Sequence, residues 1–499
     1  MADMKQESAA QPEPQAGSVG LSEFEKLVQK EFKPKDDQVR GAISNAVRTL
    51  AEQALQQTTL ISDDAVRTTE AIIAEIDKRL SQQINLIIHH ADFQALESSW
   101  RGLHYLVSHT ETDETLQIEV LNISKKDLGN TLKKFKGAAW DQSPLFKKIY
   151  EEEYGVLGGH PYGCLIGDYH FDHGPQDVEV LRGMAQIAAA AHTPFISGSA
   201  PSLMNMESWQ ELGNPRDLAK IFETPQYASW RSLRESEDSR YIGLAMPRYL
   251  GRLPYGLKTN PVDEFDFEED AEGKDHKKYL WCNAAYAMGA NITRSFKEYG
   301  WCSNIRGVES GGAVEGLPCH TFPTDDGGVD MKCPTEIAIT DRREAELAMC
   351  GLMPLLHRKN TDIAAFVGAQ SLQKPTEYDD KDASANAKLA ARLPYLFAMC
   401  RFAHYLKCIV RDKVGSFKER SDMQAFLNRW VTQYVTTNPT ASEEVKAQFP
   451  LSAAEVVVEE GEDPGYYSAR FFLRPHYQLE GLSVSLRLVS KLPSVKSAG

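Results

Sequence analysis

Residues 91–107 read ADFQALESSWRGLHYLV and carry the clearest structural pattern in the chain. The large apolar residues of this stretch recur every three or four positions: Phe93, Leu96, Trp100, Leu103 and Val107. This spacing puts them on one side of an α-helix, and a stripe this apolar is not expected to face water. The pattern by itself therefore predicts a helix of the hydrophobic core, against which neighbouring elements pack.

Size, charge and composition exclude several classes of protein. The 499 residues suffice for about three domains. The formal net charge is −15, and no Lys/Arg cluster is present that could neutralise phosphates, so nucleic acid is not an expected partner. No secretory signal is visible, and the longest uncharged run, 183–206, contains prolines and a histidine, which makes it a poor membrane span. We expect a soluble, cytoplasmic protein.

The eight cysteines give no sign of a cofactor or metal site. None belongs to a C-x-x-C pair, so a zinc site is not expected, and reduced thiols within the fold are the better interpretation. The glycine-rich segment 307–316 fits neither of the common nucleotide-binding patterns. No cofactor is expected.

The N-terminal 60 residues are expected to contain a tail and short helices. Residues 1–19 are polar and rich in Pro, Gln and Ala, which is typical of a disordered tail. Residues 20–60 are expected to be helical, and Ser22 with Glu25 forms a capping box for the first helix. The apolar side chains of this helix are Leu21, Phe24, Leu27, Val28 and Phe32. A helix this short needs a groove to bind, either in its own protein or in a partner.

The centre of the chain has the pattern of an α/β protein. Residues 61–139 continue the helical pattern and add a first strand, in which Leu116, Ile118 and Val120 alternate with polar residues. Between residues 140 and 380, short apolar strands alternate with helices. The expected strands are 163–169, 194–197, 241–246 and 335–340, and the expected helices are 176–191, 217–221, 226–235, 279–299 and 342–347. The acidic stretch 255–278 is expected to be a solvated surface loop.

Residues 381–499 are expected to form helices followed by β-strands. The last strands show the clearest alternation in the chain, with apolar residues at every second position. The residues concerned are Tyr467, Ala469, Phe471 and Leu473 in one strand and Leu482, Val484, Leu486 and Leu488 in the next. Two or three strands form a marginal sheet, and their unpaired edges invite the strand of another chain. The expected fold class is α/β with mixed α+β character: a helical N-terminal region, central α/β domains and C-terminal strands.

One cluster could bind a metal. Asp168, His170, Asp172 and His173 offer four possible ligands within six residues at a strand end, where α/β enzymes place their active sites. No second cluster supplies a further ligand, and Gly174-Pro175 fits an ordinary strand-to-helix turn. A metal-dependent α/β enzyme is therefore the alternative function, not the main one.

Several long blocks resemble the large subunit of the type VI secretion contractile sheath, the TssC/VipB family. The Trp100–Leu103 run WRGL is one of them. The others are YIGLAMPRYLGRLPYG at 241–256, WCSNIRGVE at 301–309, LPCHTF at 317–322, CPTEIAIT at 333–340, FVGAQSLQKP at 366–375 and the LPYLFAMCRFAHYLKCIVRD run within 392–412. The resemblance extends from about residue 60 to the C-terminus.

The resemblance implies a structural role instead of catalysis. The large subunit of this family pairs with a small sheath subunit (TssB/VipA), and the heterodimers stack as a helical tube around the Hcp inner tube. The tube ends at a baseplate and contracts to propel the inner tube, without insertion of the sheath into the membrane. An ATPase of the AAA+ class, ClpV, then unfolds the contracted sheath.

The resemblance also implies roles for particular residues. Leu21, Phe24, Leu27 and Val28 occupy the place of the ClpV-binding helix. The strands that contain Tyr467–Leu473 and Leu482–Leu488 occupy the place of the strands shared between neighbouring subunits. The stripe Phe93, Leu96, Trp100 and Leu103 is assigned to packing in the core or against the small subunit. The metal-dependent enzyme with Asp168, His170, Asp172 and His173 is kept as the alternative.

Overall fold

The structure is a computed structural model that describes residues 65–476, except for 215–216, 264, 274, 414–419, 439 and 461–466, together with Asn45. The predicted ClpV-binding helix with Leu21, Phe24, Leu27 and Val28 lies outside the described residues. The same is true of the strand with Leu482, Val484, Leu486 and Leu488. These two assignments remain predictions.

A six-stranded sheet organises the centre of the chain, with the strands in the order β1-β2-β3-β9-β10-β6. The first four are parallel, while β10 runs antiparallel to both β9 and β6. The strands are β1 (Leu165–Phe171), β2 (Phe195–Ser199), β3 (Ile242–Met246), β4 (Tyr249–Leu250), β5 (Trp281–Cys282), β6 (Ala313–Val314), β7 (Thr321–Pro323), β8 (Val329–Met331), β9 (Met353–His357), β10 (Ala364–Phe366), β11 (Leu451–Glu460) and β12 (Tyr467–Pro475). β4 with β5, β7 with β8 and β11 with β12 form separate two-stranded sheets.

Helices connect and cover these strands. They are α1 (Ala65–Ile88), α2 (Ala91–Ser108), α3 (Lys125–Lys134), α4 (Pro175–Ala191), α5 (Leu218–Glu223), α6 (Ala228–Arg234), α7 (Ala284–Tyr299), α8 (Asp341–Met349), α9 (Lys381–Ala390), α10 (Leu393–Lys413), α11 (Arg420–Thr432) and α12 (Glu443–Gln448). A further helical segment runs from Pro144 to Tyr154 and changes from α to π winding after Phe146. Pro175 is at the start of α4, where a backbone N–H would have no acceptor within the helix. The absence of an N–H in proline therefore costs no helical hydrogen bond.

Both faces of the central sheet are covered, as the α/β fold class predicts. On one face, α4 buries Leu181, Ile187 and Ala188 against Phe195 and Ile242 of the strands. On the other face, α7 and the first turns of α10 pack against alternate strand residues. Parallel strands with helices on both faces are typical of α/β domains. The mixed helix-and-strand fold is confirmed.

The C-terminal elements form a separate hydrophobic cluster. Strands β11 and β12 make an antiparallel hairpin in which Val456 faces Phe471 and Val458 faces Ala469. The inner face of the hairpin packs against α11 and the second half of α10, where Trp301 stacks on Phe402 with 4.3 Å between ring centroids. The hairpin is therefore anchored on one face only.

The chain divides into two compact units, one built from residues 1–93 and 254–271 and the other from 94–253 and 272–499. In the first, Asn85 of α1 donates to the carbonyl of Glu268 at 3.1 Å and accepts from the Asp270 N–H at 2.8 Å. The side chain of Glu269 is buried and accepts bonds from His89 and from the N–H of Tyr255. The prediction of a solvated loop at 255–278 is therefore wrong at Glu269, because its charge is needed to satisfy buried donors.

Two predicted strands do not form in this chain. The stretch with Leu116, Ile118 and Val120 is extended but pairs with no described strand, and the Asp113 carboxylate accepts from the N–H groups of residues 115 and 116 at its start. In 335–340, only a single bridge between Thr335 and Tyr249 is present. The remaining strands and helices of the central part lie within a few residues of the predicted bounds, except that the helix predicted from residue 279 begins at Ala284, after β5.

Candidate subunit interface

The helix α2 buries a different face from the one predicted. Gly102 and Leu106 are its buried residues, and Leu106 packs with Tyr286 and Ala290 of α7. Trp100 is 66% exposed and Leu96 is 57% exposed. The prediction that this stripe belongs to the core is therefore wrong for Phe93, Leu96 and Trp100 in the chain alone, whereas Leu103 is partly buried and packs against the cluster around Leu106. The physical reason is Gly102, because a Cβ at this position would overlap the Tyr286 ring, so the glycine lets that face approach α7 closely.

Glu97 pairs with two arginines, Arg101 within the same helix and Arg252 from a distant part of the chain, and the Arg252 pair holds the helix in place. The Glu97 carboxylate lies 2.8 Å from Arg252 Nε and 2.7 Å from Arg101 Nε. Burial alone would raise the pKa of Glu97, but the hydrogen bonds and charges of Arg252 and Arg101 outweigh it and lower this pKa below the ordinary value. Sequence reasoning did not predict the pair, although Arg252 lies in the quoted RLPYG block.

The exposed stripe borders a large apolar groove. The groove has a volume of about 1320 Å³ and is lined on one side by Leu96, Trp100 and Leu103 of α2. Side chains of α7 and α10 also line it, among them Ile292 and Phe397. Pockets for small ligands usually measure roughly 300–1,000 Å³. This groove is therefore large enough for a segment of polypeptide.

The other walls of the groove are two stretches of main chain. One is strand β1, which pairs with β2 on one side and with no described strand on the other. The second is the extended segment 117–122, whose N–H and C=O groups make no hydrogen bond to any described residue. On the same segment, Val120 is 68% exposed and Leu121 is 51% exposed. Both main-chain stretches line the groove.

Polar contacts link the segment 117–122 and the residues after it to β1 and the residues before it. Tyr162, which precedes β1 in the sequence, donates from its hydroxyl to the Glu119 carboxylate. Within β1, the Tyr169 hydroxyl donates to the carbonyl of Ile123 at 2.8 Å. Beyond these, Lys125 Nζ donates to the carbonyl of His170 at 2.6 Å. The segment thus runs in the same direction as β1 without pairing with it.

The proposed metal ligands do not form a metal site. Within the described part of the chain, no three His, Cys, Asp or Glu side chains converge in a way that suits a metal ion. Asp172 caps the turn by accepting from the Gly174 N–H at 2.7 Å, and His173 stacks on Tyr227 at 4.3 Å between ring centroids. Burial lowers the pKa of His170 to about 4. Asp172 and His173 serve the strand-to-helix turn, Asp168 and His170 belong to β1, where Asp168 accepts from Asn283, and the enzyme alternative has no support.

The two edges of the C-terminal hairpin differ. The outer edge of β11 is occupied by amide side chains of α11: Asn428 accepts from the Val456 N–H at 2.9 Å and donates to the Val456 carbonyl at 3.0 Å. Gln424 accepts from the Val458 N–H at 3.2 Å. The outer edge of β12 has no described strand beside it. A further strand can therefore join the hairpin only along β12.

The structure places the predicted residues of β12 as follows. Ala469, Phe471 and Leu473 pack on the inner face of the hairpin, whereas Phe472 points outward and is 57% exposed. Tyr467 belongs to the strand, and its side chain lies outside the described set.

None of the described helices combines the length and hydrophobicity needed to cross a lipid bilayer.

Comparison with known proteins identifies the class of this chain. Residues 70–373 match the family described as EvpB/VC_A0108, tail sheath N-terminal domain. Residues 382–492 match the companion family, the tail sheath gpW/gp25-like domain. The chain is 69% identical over 500 residues to the type VI secretion system sheath protein TssC1 of Pseudomonas aeruginosa PAO1, and the match covers 100% of both chains.

Two solved structures were also compared with the chain. The cryo-EM baseplate of the anti-feeding prophage gives a TM-score of 0.37 at 11% identity over 76% of this chain and 84% of that one. The helical sheath of the same particle in its contracted state gives a TM-score of 0.29 at 12% identity over 62% and 66%.

The chain is thus a structural protein of a contractile tail sheath. It belongs to the VipB (EvpB/VC_A0108) tail sheath family and is a sheath protein of a type VI secretion system. The resemblance found in its sequence blocks is confirmed.

Proposed function

We propose that this chain is the large subunit of the sheath and acts only after it has paired with a small sheath subunit of the TssB/VipA kind. The heterodimers polymerise as a helical tube around an Hcp inner tube, on a baseplate in the cytoplasm. Contraction of the tube drives the inner tube outward, and ClpV recycles the contracted sheath. In this role the protein carries no catalytic site, cofactor or metal.

The observation that supports this proposal best is the exposure of Trp100 and Leu96 beside an apolar groove. Monomeric soluble proteins rarely expose large contiguous apolar patches unless these are interaction sites. Buried aromatic anchors such as tryptophan dominate the affinity of many interfaces. We assign this stripe, with Phe93 and Leu103, to packing against the small subunit, and the free edge of β12 to strand sharing between subunits.

Co-expression with the small-subunit gene of the same cluster, followed by electron microscopy, tests the proposal. Trp100→Asp should abolish tubes, because burying an unpaired carboxylate in the interface costs several kcal/mol. Val329→Asp is the matched control: Val329 is 77% exposed on the β7–β8 hairpin and does not line the groove, and its replacement should leave tubes intact.

Two results would contradict the proposal. One is normal tube formation by the Trp100→Asp variant. The other is a purified, unassembled protein that contains stoichiometric metal by elemental analysis, which would favour an enzyme.

A further inference from the structure

Two cysteines lie opposite each other at the base of the β7–β8 hairpin. The hydrogen bond from the Lys332 N–H to the His320 carbonyl, 2.7 Å long, continues the antiparallel pairing of the two strands beyond their ends. One further step in the same register brings Cys319 opposite Cys333. Pairs with and without backbone hydrogen bonds alternate along such a ladder, and the pairs without them have Cα atoms roughly 4.5 Å apart. This separation lies within the range of about 4.4–6.8 Å that a disulfide spans.

Both thiols also meet the loop that follows β9. Cys319 Sγ donates to the Thr361 carbonyl at 3.7 Å, and His357 Nε2 donates to the same carbonyl at 2.8 Å. The side chain of His357 is in turn hydrogen-bonded to Cys333. The two thiols and the imidazole therefore converge around one carbonyl group. None of these three residues is fully buried, which leaves access for a molecule as small as hydrogen peroxide.

The Thr361 carbonyl sets the tautomer of His357. A carbonyl oxygen only accepts, so Nε2 carries the hydrogen, and Nδ1 of the neutral ring is then a hydrogen-bond acceptor. The Cys333 thiol can therefore give its proton to Nδ1. The resulting imidazolium donates to the thiolate on one side and to the carbonyl on the other. An adjacent base of this kind activates a cysteine as a nucleophile.

The surroundings of the two thiols make them unequal. Burial alone would raise the pKa of Cys333, but hydrogen bonds from His357 and Thr335 outweigh it and lower this pKa. Burial and the charge of Asp362 raise the pKa of Cys319. Because the thiolate is the reactive form, Cys333 should react first and Cys319 second.

We propose that Cys333 is an oxidation site for hydrogen peroxide and that Cys319 resolves the oxidised sulfur as a reversible disulfide across the base of the β7–β8 hairpin. The inference does not depend on the proposed function. In reducing compartments, disulfides are usually transient and serve catalysis or redox sensing.

The chemistry proceeds in two steps. The Cys333 thiolate attacks one oxygen of hydrogen peroxide, the O–O bond breaks, and a sulfenic acid forms. The departing hydroxide takes the proton held by His357 and becomes water. Cys319 Sγ then attacks the oxidised sulfur, the S–S bond forms, and the S–O bond breaks as the hydroxyl group leaves with the Cys319 proton as a second water. Both thiols are thereby oxidised, and one peroxide is reduced to two waters.

Mass spectrometry of the full-length chain tests the linkage without any substitution. The protein is treated with hydrogen peroxide at pH 7, the remaining thiols are alkylated, and its peptides are mapped. We expect a Cys319–Cys333 disulfide that dithiothreitol reverses. Oxidation of other cysteines while this pair stays free overturns the proposal, as does conversion of Cys333 to its sulfinic acid without the linkage. A disulfide that forms only in denaturant also overturns it.

Cysteine variants separate the two steps. Cys319→Ser should leave Cys333 as a sulfenic acid that dimedone traps, whereas Cys333→Ser should leave Cys319 unmodified. Cys350→Ala is the control, because Cys350 is buried beside Arg234 and its removal should leave the disulfide unchanged. Equal trapping of Cys319 in the Cys333→Ser variant would overturn the assignment of Cys333 as the first to react. Circular dichroism checks that each variant is folded.

His357→Gln tests the role of the imidazole. Glutamine keeps a donor for the Thr361 carbonyl but cannot take the thiol proton. Alkylation of Cys333 at pH 7 should slow by about fivefold or more, since a thiol with the ordinary pKa of about 8.5 is only a few per cent ionised there. The pH at which this reaction reaches half its maximal rate should rise toward the same value. An unchanged rate and pH profile would overturn the activation of Cys333 by His357.

Discussion

Glu336 is a buried carboxylate whose charge is balanced within the fold. Its side chain is 1% exposed and accepts from Arg248 Nη2 at 2.7 Å and from the Arg248 N–H at 2.9 Å, and His276 Nε2 lies 3.3 Å away. Burial alone would raise the pKa of Glu336, but the hydrogen bond from His276 and the charge of Arg248 outweigh it and lower this pKa to about 2. Arg248 and Glu336 belong to two of the blocks that resemble the sheath family.

The acid sensitivity of the fold should follow from this residue. A carboxylate whose pKa is lower in the folded than in the unfolded state stabilises the folded protein at pH values above the unfolded pKa, which is about 4.5. This stabilisation is lost as the pH falls toward the folded pKa of about 2. The difference between these two pKa values corresponds to about 3 kcal/mol in the free energy of unfolding. Glu336→Gln should lower the thermal midpoint at pH 7, and the midpoints of the variant and the parent should converge as the pH falls from about 4.5 toward about 2.

Glu443 provides the control for this measurement. Its carboxylate is 61% exposed and pairs with Lys446 within α12, so Glu443→Gln should have little effect at any of these pH values. A parent and a Glu336→Gln variant that lose stability in parallel on acidification would contradict the assignment.

At the scale of elements, the C-terminal hairpin has one protected edge and one open edge. Asn428 of α11 bonds to both the N–H and the C=O of Val456, as a neighbouring strand would. Proteins commonly cover strand edges to prevent pairing with the wrong chain. The arrangement directs any added strand to β12, which agrees with the proposed sharing of strands between subunits.

Asn428→Ala should therefore have two effects. The loss of two hydrogen bonds to buried main chain should lower stability by about 1–3 kcal/mol, and the exposed β11 edge should promote self-association. Thermal unfolding and light scattering measure these two effects. Asn428→Asp keeps the acceptor for the Val456 N–H and should lie between the parent and Asn428→Ala. A variant Asn428→Ala that stays as stable and as monodisperse as the parent would show that the amide does not protect the edge.

At the scale of the whole molecule, assembly and disassembly are expected to use different parts of the chain. The stripe around Trp100 and the edge of β12 are the proposed contacts for assembly. The helix at Leu21–Phe32 is the proposed handle for ClpV, in keeping with its capping box and its need for a groove.

Charge placed on that helix should separate the two processes. Phe24→Asp with Val28→Asp should abolish binding of ClpV, because the helix loses the apolar stripe that would contact ClpV. Tube formation should stay unchanged. Pull-down of ClpV and electron microscopy of the same preparation measure both outcomes. Ser22→Ala, which keeps the stripe, is the control. Undiminished binding of ClpV by the double variant would rule out the handle.

The sequence predicted well wherever a local period decides the structure. The helix Pro175–Ala191 and strand Ile242–Met246 lie within one residue of their predicted bounds, because their apolar residues face a core along their whole length. The prediction was wrong at 115–120 and at Trp100. In both places the apolar pattern is real, but the described residues leave Trp100 and Val120 exposed.

By itself, the sequence determined the α/β class, the alternation of apolar residues in β12 and, through long blocks of residues, the sheath family. Only the tertiary structure decided which face of α2 is buried, that Asn428 covers the edge of β11, and that 117–122 lies beside β1 without pairing. The physical reason is that periodicity shows which residues avoid water but not which surface covers them. That choice depends on contacts between residues far apart in the sequence, such as Gly102 with Tyr286 and Glu97 with Arg252.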